Sequence, residues 1–248
     1  MANPNLNAFG RAAGAADQAA FDAGLRAHMV RVYNYMASGL ALSGIVAFAL
    51  FSSPEFARVF FQVQNGFVVG LTGLGWIATF APLGLLLLVS FRAGSMSVGA
   101  VQAVYWAVTG LMGVSLSILL FTYTGASVAR TFFITAAAFG ALSLYGYTTK
   151  KDLSAVGKFL FMGLIGIILA SIVNMIWPSG TMSFIISVAG VLIFSGLIAY
   201  DTQKIKEQYA GAWGSDVAEK IAIFGALSLY LDFVNLFQFL MMFLGQRR

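Results

Sequence analysis

The 248-residue chain has no cysteine and a single histidine. The first absence excludes disulfides, thiolate metal sites and cysteine nucleophiles. The second leaves His28, just ahead of the first apolar stretch, without a histidine partner for a metal site or a catalytic triad. Charge is scarce as well: 9% of residues are Asp, Glu, Lys or Arg, against about 25% in soluble domains. What fills the chain instead is 60% hydrophobic residues, in apolar runs long enough to cross a bilayer. The composition predicts an all-α polytopic membrane protein, with one domain at this length. The net charge of +5 calls for no nucleic acid, because membrane proteins concentrate Lys and Arg on their cytoplasmic side.

Seven spans are expected, at about 32–52, 70–91, 98–121, 128–148, 156–177, 181–201 and 217–244. Residues 1–30 read as an N-terminal cytoplasmic segment and 31–248 as a seven-helix transmembrane domain. No apolar stretch of signal-peptide type precedes the first span, which is expected to direct insertion itself. Pro82 should kink or break span 2. Pro178-Ser179-Gly180 should make a tight turn between spans 5 and 6, and Trp76, Trp106 and Trp177 serve as interface anchors or packing residues. Asp216-Val217-Ala218-Glu219 has the form of a capping box opening span 7. Lys150-Lys151 reads as an anchoring loop, with Asp152 and Ser154 starting span 5.

Seven spans put the N-terminus on the side of the loops after spans 2, 4 and 6. That side carries Arg11, Arg26, Arg31, Arg92, Lys150, Lys151, Lys158, Lys204, Lys206 and Lys220, and the other carries Arg58, Arg130, Arg247 and Arg248. Ten against four places the N-terminus in the cytoplasm. The terminal arginine pair pulls the other way, and a short or re-entrant last span would return the C-terminus inside. Phe-Gly-Ala-Leu-Ser-Leu-Tyr occurs at 139–145 and again at 224–230, which is either coincidence or the trace of an inverted repeat.

Of nine acidic residues, seven fall in loops, in the N-terminal segment or at helix ends; Asp201 and Asp232 do not. A helix starting near Val217 carries Asp232 about 22 Å along its length, beyond the middle of the hydrocarbon. An ionised carboxylate there costs at least about 2.5–3.5 kcal/mol, so it must be neutral, paired or wet. Gly225, Ser228 and Asn235 share its helix face and suggest a polar lining. A protonated Asp bonding a neighbouring helix is the structural alternative. Asp201 ends the apolar run of span 6 and reads equally as a solvated acid facing Lys204 or as a buried one. A short connection makes spans 6 and 7 a hairpin, so the two acids can meet. Two carboxylates in a low dielectric cannot both ionise cheaply and titrate as a unit, and when deprotonated they offer hard oxygens to Ca²⁺. Asn174 and Gln238 line a path or, more simply, bond a neighbouring helix.

Four stretches resemble the Bax inhibitor-1, or transmembrane Bax inhibitor motif, family: RVYNYMASGLALSG (31–44), TFFITAAAFGALSLYGYTTKKDLS (131–154), LIAYDTQKI (197–205) and LYLDFVNLFQFL (229–240). The resemblance runs from about Val30 to Gly245 and is that of a bacterial member. It implies two three-helix layers around a central C-terminal helix, and a pH-sensitive calcium leak channel. The paired aspartates that it implies fall on Asp201 and Asp232, with Ca²⁺ as the permeant ion, held transiently by the two acids; Asn235 and Ser228, from the shared helix face, are expected to support the pair, and no cofactor is expected. An arginine of span 2 latches the pair in that family, and Arg92 is the nearest candidate. The acids are 31 residues apart, more than the family leads one to expect. An insertion in 209–216 that shifted span 7 would separate them.

Two other functions fit parts of the pattern. Intramembrane aspartyl proteases also embed two acids, one in a Tyr-Asp context, yet their second acid follows Gly-x-Gly, whereas Asp232 follows Leu-Tyr-Leu. A regulator docked on another membrane protein, such as a membrane-bound protease, needs a surface that the sequence does not mark. The expected partners are therefore lipids, Ca²⁺ and protons, with another membrane protein as a further one. The expected site is a bacterial inner membrane, and no catalytic residue is expected.

Overall fold

The computed structural model describes residues 4–64, 67–92, 94–210 and 214–248. In chain order the elements are α1 Pro4–Ser52, α2 Pro54–Phe60, β1 Phe61–Gln64, β2 Phe67–Leu71, α3 Gly73–Arg92, α4 Val98–Thr122, α5 Gly125–Thr148, α6 Ser154–Ile176, α7 Gly180–Ala210 and α8 Ser215–Leu244. Seven of the helices, α1 and α3 to α8, are long and apolar enough to cross a membrane. The chain is an all-α integral membrane protein with one short hairpin.

Helix α8 is the core. Its sequence is apolar on all faces but the one carrying Ser228, Asp232 and Asn235, which suits a helix surrounded by others, and Leu229, Tyr230, Val234, Leu236 and Met241 are essentially inaccessible. Two three-helix layers enclose it. In one, α4 packs between α1 and α3; in the other, α7 packs between α5 and α6. The third helix of each triplet thus sits in the middle of its layer, against the first two. Helices α1, α4, α5 and α7 touch α8, while α3 and α6 lie at the outer edges. Phe132 and Phe139 of α5 meet Phe233 edge-on at 5.6 and 5.7 Å, and Phe194 of α7 stacks on Phe239 at 5.7 Å. Such pairs contribute about 1 kcal/mol each beyond their buried area.

Small residues allow the layers to close. A Cβ on Gly113 of α4 would lie 2.7 Å from the Ser43 carbonyl oxygen of α1, and one on Gly146 of α5 would lie 2.2 Å from the Ala199 carbonyl oxygen of α7. Backbones this near exploit dispersion where lipid removes the hydrophobic drive between helices. Buried hydroxyls add direction. The Tyr230 hydroxyl and Ser43 Oγ are 2.6 Å apart, and Ser43 Oγ donates to the Thr109 carbonyl at 2.7 Å, which joins α8, α1 and α4.

The first helix is longer than its apolar run. It passes residue 30 without a break, and the part before the expected span packs on the end of α7, with His28 5.1 Å from the Tyr209 ring. Helix α3 is continuous through Pro82, so no break occurs there. The 53–71 stretch is structured: α2 leads into an antiparallel hairpin pairing Phe61 with Leu71 and Gln64 with Phe67. Trp76 and Trp177 are exposed on the outer faces, and Trp106 packs edge-on against Tyr105.

The capping box expected at Asp216 does not form. Helix α8 opens from Gly214, at φ +92°, where a Cβ would be strained, and no side chain caps it. Glu219 turns instead to α1, accepting from Arg31 Nη1 at 2.6 Å and from the Tyr35 hydroxyl at 3.0 Å, while Gln102 of α4 donates to that hydroxyl at 2.8 Å. A charged partner on another helix outcompetes the local cap. Because Arg31 is half exposed, a double-mutant cycle of Arg31→Ala and Glu219→Gln should give a coupling of about 1 kcal/mol, read from thermal unfolding in detergent.

At the other end, Tyr123 bridges to Arg247, and Arg248 lies over the Phe51 ring at 4.9 Å. The C-terminus is therefore at the end where α1 and α4 finish. Helix α8 is unbroken over 30 residues and long and apolar enough to cross a membrane, unlike a short or re-entrant last span.

Candidate functional site

Helix α7 runs nine residues past Asp201, to Ala210, which places that acid about 14 Å inside the helix end. Residues 211–213 of the connection to α8 lie outside the described residues. Any lengthening there leaves the acids together: the carboxyls of Asp201 and Asp232 are within hydrogen-bonding reach of each other. Asp232 is 6% exposed, and its buried Oδ2 has no hydrogen-bond partner among the described residues. Two carboxyls this close in a low dielectric cannot both ionise cheaply.

The pair faces a groove of about 1080 Å³ between α3, α6, α7 and α8. Ser228 and Asn235 line the same groove from α8, as the face spacing predicts, and Asn235 Nδ2 donates to the Leu231 carbonyl at 2.8 Å, leaving its oxygen free to face the cavity. Four oxygen-bearing side chains thus share one wall. Among the described residues there is no cluster of three His, Asp or Glu side chains. Arg92 is not brought to the pair. It is exposed at the end of α3, about 9 Å along the helix from Leu86, and Leu83 and Leu86 are the residues that α3 contributes to the groove. The basic groups that do line it are Lys158 and Lys204, the latter over the Tyr200 ring at 5.8 Å.

The four residues of Tyr-Asp-Thr-Gln, 200–203, point to four different neighbours, as 100° steps around a buried helix require. Tyr200 fills the space left by Gly157 of α6. Asp201 enters the groove. Thr202 donates to the Ile198 carbonyl at 2.7 Å and so accepts from Ser143 at 3.1 Å, which in turn accepts from the Tyr33 hydroxyl at 2.6 Å. Gln203 grips the loop before α6: its Oε1 accepts from the Leu153 amide and its Nε2 donates to the Lys151 carbonyl, both at 2.8 Å. These buried partners were not anticipated; an amide and a hydroxyl near a helix end read as solvated. Gln203→Leu strands the buried Leu153 amide and removes a donor from the part-buried Lys151 carbonyl, and should lower stability by about 2 kcal/mol, seen as a lower melting temperature.

Asn174 bonds Ser183 of α7 at 2.8 Å and accepts from the Ser179 amide, so it fastens the 177–179 turn and takes no part in the groove. Gln238 faces a separate pocket with Asn174 and Ser183. Asp152 accepts from the Ser154 amide at 2.8 Å at the start of α6. The Ser154 hydroxyl, together with this amide, holds its exposed carboxyl below the usual carboxylate range, aided by Lys158. The two copies of Phe-Gly-Ala-Leu-Ser-Leu-Tyr do different work. Ser143 joins the Tyr33 chain, whereas Ser228 lines the groove; Tyr145 is exposed, whereas Tyr230 is buried.

Comparison with known proteins identifies the family. The chain is 48% identical over 228 residues to "Uncharacterized protein RP147" of Rickettsia prowazekii, covering 92% of this chain and 93% of that one. It is 50% identical to an uncharacterized protein of Caulobacter vibrioides (92% and 91% covered) and 41% identical to "Inner membrane protein YbhL" of Escherichia coli K12 (91% and 94% covered). The model of the family described as "Inhibitor of apoptosis-promoting Bax1" matches residues 25–248, and the chain belongs to that family.

Proposed function

We propose that the protein is a non-enzymatic, pH-sensitive cation leak channel of a bacterial inner membrane, with its N-terminus in the cytoplasm and Ca²⁺ as the permeant ion. The observation that carries this reading is the carboxyl pair itself: Asp201 and Asp232 within hydrogen-bonding reach, on a groove that also presents Ser228 and Asn235. Ca²⁺ favours six to eight oxygens in flexible geometry, and a wall with four oxygen-bearing side chains plus water suits passage better than storage. Protons and the cation compete for the same oxygens. The coupled pair therefore loses its hold on the ion as it fills with protons, and flux falls as the medium is acidified.

The inner-membrane assignment is supported by the similarity to "Inner membrane protein YbhL" and the orientation by the ten-to-four distribution of basic residues. The test is Ca²⁺ entry into dye-loaded liposomes holding the purified protein, across a pH series. The expected result is entry above that of empty liposomes, declining with acid. Entry equal to empty liposomes at every pH would overturn the reading, as would cleavage of a labelled transmembrane peptide by the same preparation.

A further inference from the structure

The groove has a second chemistry that the aspartate pair does not use. At the end where α6 begins and α7 finishes, Lys158 and Lys204 both line it. Both are exposed, and among the described residues neither makes a salt bridge or a side-chain hydrogen bond. Below them the wall becomes apolar. Phe161, Met162, Ile168 and Met175 of α6 are on it and remain exposed, so the groove opens sideways where hydrocarbon lies. From Lys158 to Met175 the helix rises about 25 Å, longer than the ~15 Å of one leaflet's share of the hydrocarbon. Two cations at the interface above a long open apolar channel match one kind of molecule: a phosphate headgroup with an acyl chain beneath it.

We propose that this groove is a binding site for an anionic phospholipid, with the phosphate between Lys158 and Lys204 and one acyl chain lying along α6. The charged groups facing the headgroup are few. Lys204 comes from α7 and Lys158 from α6; Asp201 lies about one turn deeper on α7, with Asp232 beside it. Asp152, the carboxylate near Lys158 outside the groove, is fully exposed and already engaged with the Ser154 amide. Helix α3 adds Leu83 and Leu86, without charge. A chain seated here lies across the groove's opening to the aspartate pair. The site itself stands independently of the leak reading, since it rests on the lysines and the apolar wall.

The experiment is native mass spectrometry of the full chain in detergent with equal phosphatidylglycerol and phosphatidylcholine. The wild type should retain phosphatidylglycerol in preference. Loss of two interfacial lysines should weaken that binding on the order of tenfold or more in K158A/K204A, while K158R/K204R retains it. Equal retention of phosphatidylcholine, unchanged phosphatidylglycerol binding in K158A/K204A, or displacement of the lipid by millimolar inorganic phosphate would each overturn the proposal. Because the readout is lipid mass, a protein that binds phosphatidylglycerol but passes no Ca²⁺ would sink the leak reading alone.

Discussion

Asp232→Asn should leave the protein folded and remove the pH dependence of its Ca²⁺ flux. Asparagine fills the same space in the buried site, and its amide can donate to the Asp201 carboxylate beside it. Asp201 then has a permanent donor beside it and no competing carboxylate, so the pair can no longer take up and release a proton together. Liposome flux measured across the pH series should be flat, and reduced, because one of the two charged ligands is gone. A variant whose flux still falls with acid as steeply as the wild type would show that Asp232 is a packing residue, however buried.

Gly146→Leu should be the most damaging single substitution in the membrane region. The Cβ alone would sit 2.2 Å from the Ala199 carbonyl oxygen and 2.9 Å from its carbonyl carbon and Cα, and backbone cannot yield as a side-chain tip can. Helix α5 must separate from α7, at a cost of about 3 kcal/mol or more. The same displacement pulls on Ala199, two residues before Asp201, and on the Ser143–Thr202 bond that ties the two helices. The expected outcome is a large fall in melting temperature together with a weakened pH response. Gly140→Ala, six residues earlier on α5 where a Cβ meets nothing within 4 Å, is the control and should be neutral or slightly stabilising.

The spans were legible because apolar runs of this length have few other uses, and Asp232 was legible because a lone carboxylate inside one is expensive. Asp201 was not separable from an interfacial acid by its own neighbourhood; the resemblance of Tyr-Asp-Thr-Gln decided it. The α2 turn and its hairpin were passed over although Gln-Asn-Gly, 64–66, between Val63 and Phe67 is a hairpin signal, since a 17-residue connection between spans reads as loop. The early half of α1 was missed because helix there continues without apolar periodicity, on Ala-rich sequence with high intrinsic propensity. Asp216 and Glu219 matched a capping pattern, but local patterns carry no information about an arginine 188 positions away. The same reason hid Gln203: its role is set by the 151–153 loop, which only the fold brings alongside.

The central claim is that Asp201 and Asp232 act as one titrating unit. It is tested most directly by the pH response of flux in four proteins: wild type, Asp201→Asn, Asp232→Asn and the double variant. The account predicts that the two single variants and the double variant share one flat profile, so that the second substitution adds nothing to the first. Two single variants that each keep a part of the response, with losses that sum in the double, would contradict it.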